Sequence, residues 1–131
     1  MQRFILSILA LCILALTVSV ATAATEAPVE LKLEAPAGIK ATKTPVTFPH
    51  AKHGEVGVEC ATCHHTWDGK ADVKSCSAAD CHDQPGKKGE TAYYSAFHTK
   101  KTDRSCLGCH KAKKKEGNTV APVSCKQCHP K

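Results

Sequence analysis

The sequence has 131 residues, a formal net charge of +6, 8 histidines and 9 cysteines, and 23% of its residues are charged. From residue 24 onward, Leu, Ile, Val and Phe make up only 13 of 108 residues, roughly 12%, whereas a charged chain below ~20% is expected to stay disordered. The composition excludes a domain held together by an ordinary hydrophobic core, so either the chain is unfolded or something other than side chains fills its interior.

The first 23 residues have the features of a secretory signal peptide. Arg3 supplies the positive start, an apolar run extends from Phe4 to Val20, and Ala21-Thr22-Ala23 offers a small-residue cleavage site. We therefore expect an exported single domain of residues 24–131 with no permanent membrane anchor. The alternative is an uncleaved anchor, because the apolar run approaches the ~18 residues of a membrane-spanning helix.

Three short elements are predicted at the start of the mature region. Residues 29–34 alternate apolar and polar side chains, as in a half-exposed strand, and residues 46–48 form a second strand candidate that could pair with it. Pro49 then favours the first turn of a short helix that places His50 and His53 on one face. We expect these two histidines to serve two different ligand sites.

Four segments combine two cysteines with a histidine that directly follows the second cysteine. They are Cys60-Ala-Thr-Cys63-His64, Cys76-Ser-Ala-Ala-Asp-Cys81-His82, Cys106-Leu-Gly-Cys109-His110 and Cys125-Lys-Gln-Cys128-His129. Three fit C-x-x-C-H, the attachment motif of c-type haem, in which both cysteine sulfurs form thioether bonds and the histidine is the proximal iron ligand. The second unit, C-x4-C-H, requires a looped-out backbone but keeps its cysteine and histidine adjacent. The sequence therefore predicts four covalently bound haems.

Paired cysteines are also typical of zinc sites and of disulfide frameworks in small exported proteins. Neither class requires a histidine after every second cysteine. If the 8 histidines were scattered over 108 positions, all four such sites would be filled roughly once in thirty thousand trials. The haem interpretation is therefore preferred over zinc and over disulfides.

The four histidines outside these units match the number of sixth ligands that four haems need. They are His50, His53, His65 and His98. Since His64 and His65 are adjacent, their rings diverge, and we expect His65 to ligate a different haem from His64. Iron held by two histidines is coordinatively saturated, which favours electron transfer over substrate chemistry, and the mature region has no methionine to raise the haem potential.

Residues 91–101 favour a helix that presents Tyr94, Phe97 and His98 along one side, although plain core packing also explains the two aromatic residues. Glycines and prolines interrupt longer runs elsewhere. We thus expect a mainly α and irregular fold, with short helices and loops around four haems and a small N-terminal two-stranded β-sheet.

Charge is distributed unevenly along the mature region. Residues 24–86 contain 6 lysines and 9 acidic residues, a net of −3, whereas residues 87–131 contain 10 lysines and Arg104 against 3 acidic residues, a net of +8. We interpret the C-terminal part as a docking surface for an acidic redox partner, the alternative being an ordinary solvated face. Export makes nucleic acid an unsuitable partner.

The order of these motifs resembles the tetrahaem class III cytochromes of the cytochrome c3 type, and the resemblance covers roughly residues 38 to 129. The doubled His64-His65, the C-x4-C-H unit and His98 before two further units carry it. The resemblance implies four ligand pairs, which are His50 with His64, His65 with His82, His53 with His110, and His98 with His129. It also implies that Phe48 lies between haems. Many members have C-x4-C-H at the fourth unit, where this chain has the short form, which affects the expected geometry there.

The family works in the periplasm of sulphate-reducing bacteria, where it accepts electrons from hydrogenase and passes them to membrane-bound cytochrome complexes. Its docking surface is lysine-rich and surrounds the fourth haem. The resemblance thus implies a periplasmic electron carrier that is not an enzyme, and we expect a monomer. Two alternatives stay open: a multihaem reductase of metals or small oxyanions, which needs an open iron position, and a subunit that conducts electrons within a larger complex.

Overall fold

Short elements of secondary structure are separated by irregular segments in the computed structural model, which describes residues 27–131. The expected signal peptide, residues 1–23, lies outside the described residues. The elements are β1 (Leu31–Leu33), β2 (Val46–Phe48), α1 (His50–Glu55), α2 (Cys60–Cys63), α3 (Tyr93–His98), α4 (Cys106–Lys115) and α5 (Cys125–Cys128). The predicted mainly α and irregular fold with a small sheet is confirmed.

The two strands pair antiparallel, with Leu31 opposite Phe48 and Leu33 opposite Val46. Because side chains alternate along a strand, these four apolar residues share one face, and Lys32 and Thr47 lie on the other. The first strand is shorter than the predicted residues 29–34. Ahead of it, the carbonyl of Val29 accepts a 3.0 Å hydrogen bond from the backbone N–H of Ala51, which ties the sheet to α1.

Helix α3 is also shorter than the predicted residues 91–101. The backbone N–H of Tyr93 donates to the carbonyl of Gln84 at 2.9 Å, and both flanking residues, Ala92 and Thr99, have extended dihedrals. Within α3, the rings of Tyr94 and His98 stack 4.1 Å apart. Phe97 contacts Tyr93 edge-on at 4.9 Å, one helical turn back.

Helix α4 is the longest helix within residues 27–131. Its N-cap is Ser105, whose hydroxyl accepts from the backbone N–H of Gly108 at 3.1 Å. Three lysines, 113 to 115, fill its last turn, where positive charge complements the negative end of the helix dipole. No helix in this described part of the chain is long and apolar enough to cross a membrane.

Protein atoms bury few side chains in residues 27–131. The buried apolar residue is Ala92, at 2% exposure, and the buried polar residue is Ser105, at 3%. Ala92 is the N-cap residue of α3 and Ser105 that of α4, where Gly108, which donates to the Ser105 hydroxyl, is also buried. Contacts among side chains therefore contribute little hydrophobic stabilisation, in agreement with the shortage of large aliphatic residues in the sequence.

We expect residues 24–131 to be unfolded when haem cannot be attached. A variant with alanine at all eight cysteines of the four units loses every covalent link to haem, and the remaining side chains bury too little apolar area to offset chain entropy. Circular dichroism and proton chemical-shift dispersion measure the result. Cooperative thermal unfolding of this variant would contradict the expectation.

Gly108→Ala should destabilise the holoprotein by about 1–3 kcal/mol, because a Cβ at this position would overlap the carbonyl oxygen of Thr102. Gly54→Ala is the matched control, since that helical glycine has open space around it. The control should be neutral or stabilising by up to about 1 kcal/mol. Chemical denaturation followed at the haem absorbance compares the two, and equal midpoints would show that the Thr102 backbone yields without cost.

Candidate functional site

The eight histidines come together as four pairs of rings. The centroid separations are 6.2 Å for His50 and His64, 6.1 Å for His53 and His110, 5.8 Å for His65 and His82, and 6.2 Å for His98 and His129. These are the same four pairs that the sequence resemblance implies. Each pair combines one histidine of a cysteine unit with one of the four histidines outside the units.

The separation within each pair fits two imidazoles on opposite sides of one metal ion. Bonds from a metal to an imidazole nitrogen are about 2.0–2.1 Å long, and the ring centre lies roughly 1.1 Å beyond the nitrogen, so the two centroids should be roughly 6.3 Å apart. All four observed separations are close to this value. Two protein ligands per site suit haem iron, because the porphyrin supplies the other four.

Five of the eight histidines are oriented by a hydrogen bond from ring nitrogen Nδ1 to a backbone carbonyl. A carbonyl can only accept, so Nδ1 carries the proton and the lone pair of Nε2 is available to a metal. The bonds run from His50 to Pro28 (3.0 Å), His53 to Pro49 (3.0 Å), His98 to Tyr94 (3.0 Å), His110 to Pro122 (2.9 Å) and His129 to Thr44 (2.7 Å).

The pair of His65 and His82 has a different environment. Nδ1 of His82 is buried and has no hydrogen-bond partner within residues 27–131. Burial is the main cause that lowers the pKa of His65, and the positive charge of Arg104 is the next. Burial also lowers the pKa of His110, which pairs with His53. Lower pKa values favour the neutral imidazole, which is the form that binds metal.

Each cysteine unit places its histidine by the same kind of backbone hydrogen bond, from the N–H of the histidine to the carbonyl of the first cysteine. In the first unit the N–H of His64 donates to the carbonyl of Cys60 at 2.9 Å, and in the fourth the N–H of His129 donates to Cys125 at 2.8 Å. Helix α2 and helix α5 are these single turns, and the third unit forms the first turns of α4. A helical turn puts residues i, i+3 and i+4 on one side, so both sulfurs and the imidazole face one ligand.

The second unit reaches the same closure without a helix. The N–H of His82 donates to the carbonyl of Cys76 at 3.0 Å, so the two additional residues loop out as the sequence predicts. Asp80 makes this loop possible with a left-handed φ of 65°, a conformation in which aspartate is enriched among residues with a side chain. Its N–H donates to the carboxylate of Asp83. No sequence pattern indicated this role for Asp80.

No disulfide joins the eight cysteines of the units. Burial raises the pKa of the Cys106 thiol to about 12 and also raises the pKa values of Cys63, Cys76 and Cys128. Within residues 27–131, no three or more His, Cys, Asp and Glu side chains converge on a point where they could hold a metal ion.

Two aromatic rings contact the paired histidines. Phe48, at the end of β2, lies 4.6 Å from the ring of His53 and 5.7 Å from that of His50, so it contacts both histidines of α1. Tyr94 stacks on His98 with an interplanar angle of 9°. The ammonium group of Lys87 lies 5.6 Å from the centre of the same tyrosine ring, within the range of a cation–π contact.

The junction between α3 and α4 joins two of the histidine pairs. The hydroxyl of Ser105 donates to the carbonyl of Thr99 at 2.5 Å while it accepts from Gly108. Thr99 directly follows His98, and Gly108 lies inside the third cysteine unit. This buried serine therefore fixes the end of α3 against the start of α4. Sequence patterns did not single it out, because serine before a helix is a common N-cap.

Lysines surround the fourth cysteine unit. A groove is lined by Lys43, Lys126 and Lys131 together with Cys125 and His129. All three lysines are exposed. Lys43 comes from the acidic N-terminal part of the chain, so folding brings it to the basic C-terminal part, a placement that the charge counts along the sequence did not predict.

Comparison with known proteins finds relatives that match most of the chain. The profile of the class III cytochrome c family matches residues 27–129. A cytochrome c3 of Maridesulfovibrio salexigens is 51% identical over 109 residues, which cover 81% of this chain and 97% of the relative. A cytochrome c3 of Desulfovibrio desulfuricans is 45% identical over 107 residues, covering 81% and 98% of the two chains.

Solved structures agree with the sequence relatives. The di-tetrahaem cytochrome c3 of Desulfovibrio gigas superposes with a TM-score of 0.70 at 36% identity, covering 80% of this chain and 98% of the other. The oxidised cytochrome c3 of Desulfovibrio desulfuricans superposes with a TM-score of 0.60 at 35% identity, covering 82% and 100%. The chain therefore belongs to the class III cytochrome c family and is a multihaem electron-transfer protein with four covalently attached c-type haems.

Proposed function

We propose that this protein is a periplasmic, low-potential electron carrier that moves electrons between hydrogenase and membrane-bound cytochrome complexes in anaerobic sulphate respiration. The observation that carries the proposal is the arrangement of the eight histidines as four pairs, each spaced for two axial ligands of one iron. A c-type haem supplies one-electron redox chemistry at its iron. The protein residues hold it, saturate the iron and provide a surface for partners.

We assign one cysteine unit and one histidine pair to each haem. The thioether cysteines are Cys60 and Cys63, Cys76 and Cys81, Cys106 and Cys109, and Cys125 and Cys128, with proximal ligands His64, His82, His110 and His129, respectively. The sixth ligands in the same order are His50, His65, His53 and His98. The observed ring pairs and the backbone closure of each unit support this assignment.

Double histidine ligation favours a carrier over a reductase. A reductase binds its acceptor at an iron position that the protein leaves open, whereas here each site has an imidazole on both sides. The single methionine of the sequence is Met1, so the region that holds the haems offers no methionine ligand to raise a potential. Both features support low-potential, outer-sphere electron transfer without enzymatic activity.

The surface around the fourth unit suits an acidic partner. Residues 87–131 have a net charge of +8, and Lys43, Lys126 and Lys131 line the groove beside His129. A cluster of one charge sign raises the rate of encounter with a partner of opposite sign and orients it. We infer that hydrogenase docks here and that the monomer is the working form. The predicted signal peptide, residues 1–23, supports placement in the periplasm.

Intact mass and spin state together test the cofactor and ligand assignments. The mature protein should weigh the chain from Ala24 to Lys131 plus four haems, and its oxidised and reduced absorption spectra should be entirely low-spin. A high-spin, five-coordinate haem would favour the reductase alternative. A colourless protein that folds with zinc or cystine bridges, after expression in a host able to attach haem, would reject the proposal altogether.

Charge reversal at the fourth unit tests the docking surface. Replacing Lys126 and Lys131 with glutamate should slow the second-order reaction with hydrogenase roughly tenfold at low ionic strength, and the difference should shrink as salt screens the charges. Lys70→Glu with Lys74→Glu is the matched control, because it makes the same change in net charge among exposed lysines of the acidic part of the chain. Equal rates for the two double variants would place docking elsewhere.

A further inference from the structure

Thr44 contacts the fourth cysteine unit across 85 residues of sequence. Its backbone carbonyl accepts a hydrogen bond from Nδ1 of His129 at 2.7 Å, and its hydroxyl donates to the carbonyl of Pro130, also at 2.7 Å. The carbonyl of one residue thus bonds to the ring of His129, and the hydroxyl of the same residue bonds to the carbonyl of Pro130. We refer to these two bonds as the Thr44 clamp.

The clamp differs from the bonds that orient His53 and His98, which are local. His53 and His98 donate to the carbonyl four residues earlier, so the turn of chain that carries each ring also orients it. His129 lies just beyond a helix of 4 residues, and the carbonyl four residues before it, that of Cys125, accepts from its backbone N–H. Its ring is oriented by a distant segment, as those of His50 and His110 are, and its bond is the shortest of the five.

Thr44 is itself held in place by the sheet. It precedes Pro45, which restricts the residue before it to extended conformations. Pro45 leads directly into β2, which is paired along its length with β1. The carbonyl that receives the His129 proton is therefore attached to an ordered platform.

The other end of the fourth unit is fixed separately. The side-chain oxygen of Gln127 accepts from the backbone N–H groups of Val123 and Ser124, both at 3.1 Å, and from the hydroxyl of Ser124 at 2.9 Å. This capping box organises the turn before His129 and leaves the segment after it to the Thr44 clamp. The short Cys125–Cys128 spacing is thus secured at both ends by side chains within this chain.

We propose that Thr44 is the positioning residue for His129, and that its clamp sets the orientation and donor strength of this ligand at the fourth haem. Donation from Nδ1 to a carbonyl makes the imidazole a stronger ligand and favours the oxidised iron. The position is exposed, so water competes for Nδ1 of His129 and for the Thr44 carbonyl. The bond from the Thr44 hydroxyl to the Pro130 carbonyl keeps the hydrogen bond between these two groups short. Removal of the hydroxyl weakens the donation and raises the potential of the fourth haem. This inference rests on the proposed assignment of His129 as an iron ligand.

The test compares three variants of the holoprotein by NMR. Thr44→Val removes the hydroxyl at constant shape, Thr44→Ser retains it, and Thr42→Val removes a neighbouring hydroxyl that lines the same groove but has no hydrogen-bond partner within residues 27–131. Two quantities are measured: the exchange rate of the Nδ1 proton of His129, and the individual potentials of the four haems.

Thr44→Val should speed exchange of the His129 proton roughly tenfold and shift the fourth haem to higher potential relative to the other three. The serine variant and Thr42→Val should match the wild type in both measurements. Unchanged exchange and potential in Thr44→Val would overturn the proposal, as would an equal shift in Thr42→Val. If the valine variant does not accumulate, Thr44→Ala takes its place, because it removes the same hydroxyl with a smaller side chain.

Failure of this inference is distinguishable from failure of the proposed function. If the wild type has fewer than four low-spin haems by mass and spectrum, the ligand assignment is wrong. If it has four and Thr44→Val behaves like the wild type, the assignment stands and the positioning role of Thr44 is rejected.

Discussion

The fold depends on the pairing of histidines from distant segments, where, on the proposed assignment, each pair would hold one haem iron. Each pair joins segments that are distant in sequence: His53 and His110 are 57 residues apart, and His98 and His129 are 31 apart. Their rings nevertheless lie 6.1 and 6.2 Å from each other. Such links restrict the unfolded chain in the way that cross-links do, and a longer enclosed loop gives a larger entropic effect. A chain with few aliphatic residues can therefore have one defined topology, since ligation supplies long-range contacts that a side-chain core would otherwise make.

Neighbouring histidines extend this constraint from one haem to the next. Helix α1 contributes His50 and His53 to different pairs, and Phe48 lies against both rings. The adjacent His64 and His65 likewise belong to different pairs. Ser105 adds a third connection, because it bonds the residue after His98 to the unit that contains His110. A shift of any one histidine is thus transmitted by a few covalent or hydrogen bonds to a second histidine pair.

The cysteine units, the haem number and the sparse secondary structure follow from sequence because they depend on local spacing. The C-x-x-C-H turn needs only one helical turn, and the looped second unit keeps the same closure between His82 and Cys76. Spacing alone did not determine which histidines pair, since any of four could serve each iron; the family resemblance supplied those pairs. The limits of α3 were missed because a long-range bond from Tyr93 to Gln84 fixes its start.

The acceptors that orient the histidines could also not be predicted from the sequence, and the reason applies to other proteins as well. All five are backbone carbonyls, of Pro28, Pro49, Tyr94, Pro122 and Thr44, and a carbonyl is present whatever the side chain. Ligand orientation in such a protein is encoded by the path of the main chain, so side-chain identity can vary at an acceptor without loss of the bond. Thr44 differs because its side chain bonds the same segment as its carbonyl. Tyr94 also supports its histidine with its side chain, by stacking on His98. At these two positions, a substitution that preserves the backbone path still removes part of the ligand's support.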